Sequence, residues 1–163
     1  MQFSRLRPAN FPTLRMAQLA ALYAYYGTLF QRIIEQKTVK DTFALFTTQP
    51  SSYWNTHYNF GVENPSKPKK ISRSFFDLIA INTLMPMRFA YQRYLGNSGE
   101  ETLFQWAENL PLEKNKNIKT FEKMGLPLVH SGSGQAVLHL YKNYCKKRSC
   151  LSCQVGVYLM KSN

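Results

Sequence analysis

Carboxylates are scarce in this chain of 163 residues: Asp41 and Asp77 are its two aspartates, and nine acidic residues face 21 lysines and arginines. With so few, no paired-carboxylate motif of the kind general acid–base hydrolysis needs can be read from the sequence. Cysteine is also rare. The three present, Cys145, Cys150 and Cys153, lie within nine residues of one another. An odd, clustered set makes a poor disulfide framework and fits a reducing compartment, so a cytoplasmic location is expected. Long apolar runs are missing too. The most apolar stretch, Met16 to Phe30, is flanked by Arg15 and Arg32 and interrupted by Gln18, Gly27 and Thr28. It falls short of the ~20 residues a bilayer span requires, so no membrane span is expected. The basic start has no apolar run behind it and does not read as a secretory signal. A P-loop, a dinucleotide fingerprint and a nucleophile elbow are all absent. Enzymatic activity is therefore not expected from this chain alone.

What is present is a core-forming composition. Hydrophobic residues make up 44% and aromatics 14%, enough for a packed interior without cross-links. The formal net charge of +12 points to an anionic partner: nucleic acid, an acidic protein or an anionic membrane surface.

The periodicity predicts helices almost throughout. Asn10 reads as the N-cap of a long helix from Thr13 to about Gln36, with Ala17, Ala20, Ala21 and Ala24 on one side and a wide apolar face on the other. A short helix over Val39–Thr47 and a brief turn through Tyr53, Trp54 and His57 follow. Residues 59–70, with glycine, two prolines and three lysines, read as a basic, mobile loop. Ser74 with Asp77, and Ser98 with Glu101, resemble capping boxes opening the next two helices. Pro86 predicts a kink or break near residues 83–85. Helices over Asn117–Met124, Gln135–Lys147 and Cys150–Met160 complete the series, with Ser131–Gly134 as a flexible hinge and Ser133 as a cap. No hairpin signal is visible. The expected fold is all-α, a compact bundle of seven to eight helices forming a single domain over residues 1–163.

Two features suggest sites. The first is Cys145-x4-Cys150-x2-Cys153, with Lys146, Lys147 and Arg148 inside the first spacing. Adjacent cations and a helix N-terminus favour thiolates, so zinc or an iron–sulfur cluster is one reading. A fourth ligand is then needed, and His130 is the preferred one. Three buried thiols packing two helices together, or a redox-active pair, are the other readings. The second feature is the distribution of cations. Arg5, Arg7 and Arg15 form one group; Lys67, Lys69, Lys70 and Arg73 a second; and Lys142, Lys146, Lys147 and Arg148 a third, interleaved with Tyr141 and Tyr144. Arg7, Arg15, Lys146, Lys147 and Arg148 are the candidate anion contacts. Trp54 and His57 carry a weak site signal and read more readily as core.

A family resemblance accompanies these readings. Arg7-Pro8-Ala9-Asn10-Phe11-Pro12-Thr13-Leu14-Arg15, Tyr53-Trp54 with His57-Tyr58, Ile81-Asn82-Thr83 with Pro86, and Tyr144-Cys145 through Gly156 resemble the bacterial, Bacteroidetes-type family catalogued as domain of unknown function 2851. The resemblance implies that the chain corresponds to the C-terminal portion of longer members, and it brings no activity or cofactor with it. The tail is also distantly similar to the iron–sulfur loop of base-excision DNA glycosylases, with Leu159 standing where a fourth cysteine would be. The functional expectation is a non-enzymatic binding domain whose basic surface meets an anionic partner, DNA or RNA in the nucleic-acid reading. The alternative is an interaction module that self-associates or packs against further segments of a larger protein.

Overall fold

The structure, a computed structural model, describes residues 6–161. It is predominantly α-helical, as the periodicity predicts. The chain divides into two compact units, residues 1–97 and 98–163.

The first unit begins with a 3-10 turn at Pro8–Asn10 and continues through α1 (Pro12–Tyr26), α2 (Leu29–Glu35), α3 (Val39–Leu45) and α4 (Tyr53–Thr56). The single long helix expected over 13–36 is two. Gly27 adopts φ +62°, a left-handed conformation that an α-helix cannot continue through and that glycine tolerates without a Cβ penalty. Asn10 does not cap α1; Phe11 occupies the cap position, and the Asn10 Oδ1 accepts from Arg15 instead.

Residues 57–63 correct the expectation of an unstructured loop. A small hairpin forms from β1 (His57–Asn59) and β2 (Val62–Glu63), paired antiparallel, with Gly61 at φ +70° in the turn. The hairpin and the stretch that follows it are each fastened to α1. Thr13 donates to the Tyr58 carbonyl at 2.7 Å, and Gln18 donates to the Lys69 carbonyl at 2.8 Å.

The second half of the unit is one helical run, α5 (Arg73–Ile79), a π segment (Ala80–Leu84) and α6 (Met85–Tyr94). Its cap is Ser72, which accepts from the Phe75 N–H, while Asp77 pairs with Arg73 at 2.8 Å. The Ser74–Asp77 capping box is therefore not formed. Pro86 sits in the first turn of α6, directly after the π segment. The wide turn takes up the missing N–H and the ring's clash with the preceding turn, so the run continues where a kink or break was expected. The core gathers Leu14, Leu22, Ile33, Phe46, Phe76 and Leu84, with the Phe76 ring 5.0 Å from Phe43 and 5.1 Å from Phe46. Each such burial contributes about 1.5–3 kcal/mol.

The second unit contains α7 (Glu100–Asn109), α8 (Lys116–Lys123), α9 (Ser131–Leu140), a π segment (Tyr141–Cys145), a 3-10 turn (Cys150–Ser152) and α10 (Gln154–Lys161). Gly99, at φ +67°, caps α7 in place of the expected Ser98. Trp106, Leu110, Ile118 and Val137 form the core. Ser131–Gly134 is not a hinge but the first turn of α9. Ser131 is buried and donates to the Ala107 carbonyl at 2.8 Å. A Cβ on Gly134 would lie 2.7 Å from the Leu112 Cδ1, so glycine there permits close packing rather than flexibility. His130 is the N-cap, and Ser133 reaches back to accept from its N–H at 3.3 Å.

Candidate functional site

The cysteine segment lies where the helical run α9–π ends. Cys145 closes the π segment, Cys150 opens the 3-10 turn, and Cys153 immediately precedes α10 rather than lying inside its first turn. Cys145 and Cys150 are exposed and Cys153 is buried. Three packed thiols are thus not what forms. Among the described residues, no group of three or more His, Cys, Asp or Glu side chains is gathered closely enough to hold a metal ion. His130 does not join the cysteines. Its Nδ1 is buried and without a hydrogen-bond partner among the described residues, and its ring lies against Gly132, where a Cβ would come within 3.1 Å of that nitrogen.

The four residues between Cys145 and Cys150 make a defined helix ending. The Arg148 N–H donates to the Cys145 carbonyl and the Ser149 N–H to the Tyr144 carbonyl, both at 3.0 Å. These are the two bonds of a Schellman motif, with Arg148 in the left-handed position at φ +54°. The motif recurs twice. Gly96 donates to Arg93 and Asn97 to Gln92; Gly125 donates to Glu122 and Leu126 to Phe121. Glycine fills the left-handed position in both of those cases, at φ +81° and +89°. Arg148 is the one non-glycine residue with positive φ among those described. An L-residue there costs about 1–2 kcal/mol relative to glycine.

Lys146, Lys147 and Arg148 are all exposed. No aspartate or glutamate follows Glu122 in the sequence, whereas Lys123, Lys142, Lys146, Lys147, Arg148 and Lys161 do. A helix C-terminus accounts for the lysines in part, because its partial negative charge favours cations. It does not account for an arginine in a glycine position.

The remaining cations divide by environment. Arg7 is exposed, and Arg5 lies outside the described residues. Arg15 is half-buried, with Nη1 donating to the Gln18 Oε1 at 2.8 Å and Nη2 to the Asn10 Oδ1 at 2.7 Å. Its guanidinium carbon lies 3.4 Å from the centre of the Phe75 ring, and burial pushes its pKa down from the ordinary arginine value. The group at 67–73 is not a uniform charged surface. Lys69 is 5% exposed, and Arg73 is paired with Asp77. Arg88, which no sequence pattern singles out, donates to the carbonyls of Ile33 and Ile34 and so closes the C-terminal end of α2. Burial lowers its pKa as well.

His57 is a packed residue, as its sequence context suggests. Its ring stacks on Tyr53 with centroids 3.9 Å apart, and its Nδ1 lies 2.9 Å from the Tyr53 carbonyl.

The N-terminal Arg-Pro-Ala-Asn-Phe-Pro-Thr segment, the Trp54–Tyr58 turn and hairpin, and the π segment before Pro86 all fall within residues 1–116, which match a single family model. The chain belongs to DUF2851. This is described as a protein family of unknown function. The DUF2851 match ends at residue 116, before the cysteine segment and Lys146–Arg148. No curated protein and no solved structure matches the chain. No helix among the described residues is long and apolar enough to cross a membrane.

Proposed function

We propose that this DUF2851 chain is a non-enzymatic binding protein that meets an anionic partner, nucleic acid, through Lys146, Lys147 and Arg148. Arg7 is the exposed cation of the first unit that belongs to the same reading. One observation carries it: Arg148 occupies a backbone conformation that the two equivalent helix ends give to glycine. A residue held against a backbone cost is a reason to look for work done by its side chain. Here the side chain is a cation beside two more, in a tail without carboxylates. Such a cluster suits a phosphate backbone and includes no base-reading motif, so binding without sequence preference is expected.

The test is fluorescence anisotropy with mixed-sequence oligonucleotides, single- and double-stranded, between about 50 and about 200 mM salt. Affinity should fall steeply across that range. The combined variant Lys146→Gln, Lys147→Gln, Arg148→Gly should bind more weakly and with a shallower salt slope, reduced by about 0.9 for each phosphate it no longer neutralises. Affinity insensitive to salt, or equal in the variant, overturns the proposal. Binding of an acidic protein without binding of oligonucleotides would move the partner to that class.

A second reading, an interaction module, is favoured by α1. Met16 is 70% and Tyr25 73% exposed. Ala17, Ala20, Ala21 and Ala24 leave an open hollow of about 490 Å³ beside Trp54. Concentration-dependent association by sedimentation, abolished by Tyr25→Ser, would support this reading over the first.

A further inference from the structure

A different feature of the first unit goes beyond either reading. A hollow of about 250 Å³ lies among α1, α2 and the α5–π run. Its walls are the buried side chains of Leu22, Leu29, Ile33, Phe46, Ile71 and Leu84. Leu19, 51% exposed, also lines it and marks where solvent reaches it. Protein interiors are otherwise close-packed, and a dry cavity of about 150 Å³ already takes a benzene. This hollow takes something somewhat larger.

One charged residue lines it, Arg15. Its guanidinium is held by two neutral amides, Gln18 and Asn10, and lies over Phe75. Gln18 is itself 3% exposed and fixed from behind, its Nε2 donating to the Lys69 carbonyl, which turns its Oε1 towards Arg15. Arg15 is thus oriented, partly desolvated and without a carboxylate partner among the described residues. A guanidinium carries five N–H donors, and the two amides engage two of them. We infer that this hollow binds a short amphiphilic carboxylate, such as a medium-chain acyl anion, its tail against the leucine and isoleucine walls and its carboxylate on Arg15. A carboxylate would supply the missing counter-charge and accept from the spare donors, and such charge-assisted bonds are the strong class. A cationic amphiphile would meet a like charge. A dianion would lack a second cation, since no other lines the hollow.

The test uses the whole chain and calorimetric titration with decanoate, 1-decanol and decyltrimethylammonium, each below its self-association limit. Decanoate should bind saturably, one per chain, with 1-decanol at least about tenfold weaker and the ammonium compound not bound. Arg15→Gln should erase the difference between decanoate and 1-decanol. Leu19→Trp, at a half-exposed wall position, should block both while leaving the thermal midpoint near that of the parent. Equal binding of acid and alcohol by the parent chain, decanoate binding unchanged in both variants, or no saturable binding each overturns the inference. Lys146–Arg148 take no part in this hollow, so the outcome is separable from the oligonucleotide test.

Discussion

The Lys69 ammonium lies 4.1 Å from the centre of the Tyr58 ring and donates to the carbonyls of Asn55 and Lys67 at 2.9 and 3.0 Å. A lysine that reads in sequence as one of a surface group is thus an internal clamp on the segment after the hairpin. Lys69→Met keeps most of the stem and leaves two carbonyls without that donor. The expected loss is about 1–3 kcal/mol by urea denaturation. Lys70→Met, at an exposed position, should change stability by no more than about 0.5 kcal/mol.

Arg148→Gly should stabilise the fold by about 1 kcal/mol, because it relieves a left-handed arginine, and should at the same time weaken oligonucleotide binding. Gly125→Ala, at the equivalent position of another helix end, should cost a similar amount. Stability measured by denaturation and affinity measured by anisotropy must move in opposite directions for Arg148→Gly. A loss of both would make Arg148 a structural residue.

Gly156 allows α10 to approach the 3-10 turn backbone to backbone, since a Cβ there would lie 2.5 Å from the Cys150 carbonyl oxygen. No flexible side chain can swing away to relieve that clash. Gly156→Ala should cost about 1–3 kcal/mol and raise hydrogen exchange in α10 and the 3-10 turn. Gly134→Ala is expected to cost less, because the Leu112 Cδ1 it meets is the far end of a rotatable chain.

The three thiols should react in two stages. Cys145 and Cys150 are exposed and should react with a disulfide reagent in the native protein, whereas buried Cys153 should react only in denaturant. Peptide mapping after limited labelling identifies which sulfurs were taken. Three equal rates would mean that the turn before α10 opens readily.

The helical class was legible because long apolar periodicity survives local errors. The caps were not. A Ser-x-x-acid pattern fits more than one register, and Ser72 rather than Ser74, and Gly99 rather than Ser98, open their helices. The hairpin was hidden because strands of three and two residues are too short to display alternation. The cysteine spacing was legible as a motif, yet spacing along a chain says little about distance across a helix ending, and the turn leaves two thiols exposed and one buried. Arg148 could have been noticed only by comparing where helices end in glycine. The hollow beside Arg15 had no signal at all, since its walls come from four separate stretches between Leu19 and Leu84.

The two π segments, Ala80–Leu84 and Tyr141–Cys145, each carry one residue more than an α-helical path of the same course would use. They behave as single-residue insertions that the helix has absorbed without breaking. Deleting one residue from Tyr141–Cys145 would restore a regular helix and leave the course of the chain after it nearly unchanged, whereas deleting a second would swing everything after it by about 100°. Helicity would survive both deletions, yet only the second would turn Lys146, Lys147 and Arg148 to face elsewhere, so the direction in which that charge points is set by a count of residues with one to spare.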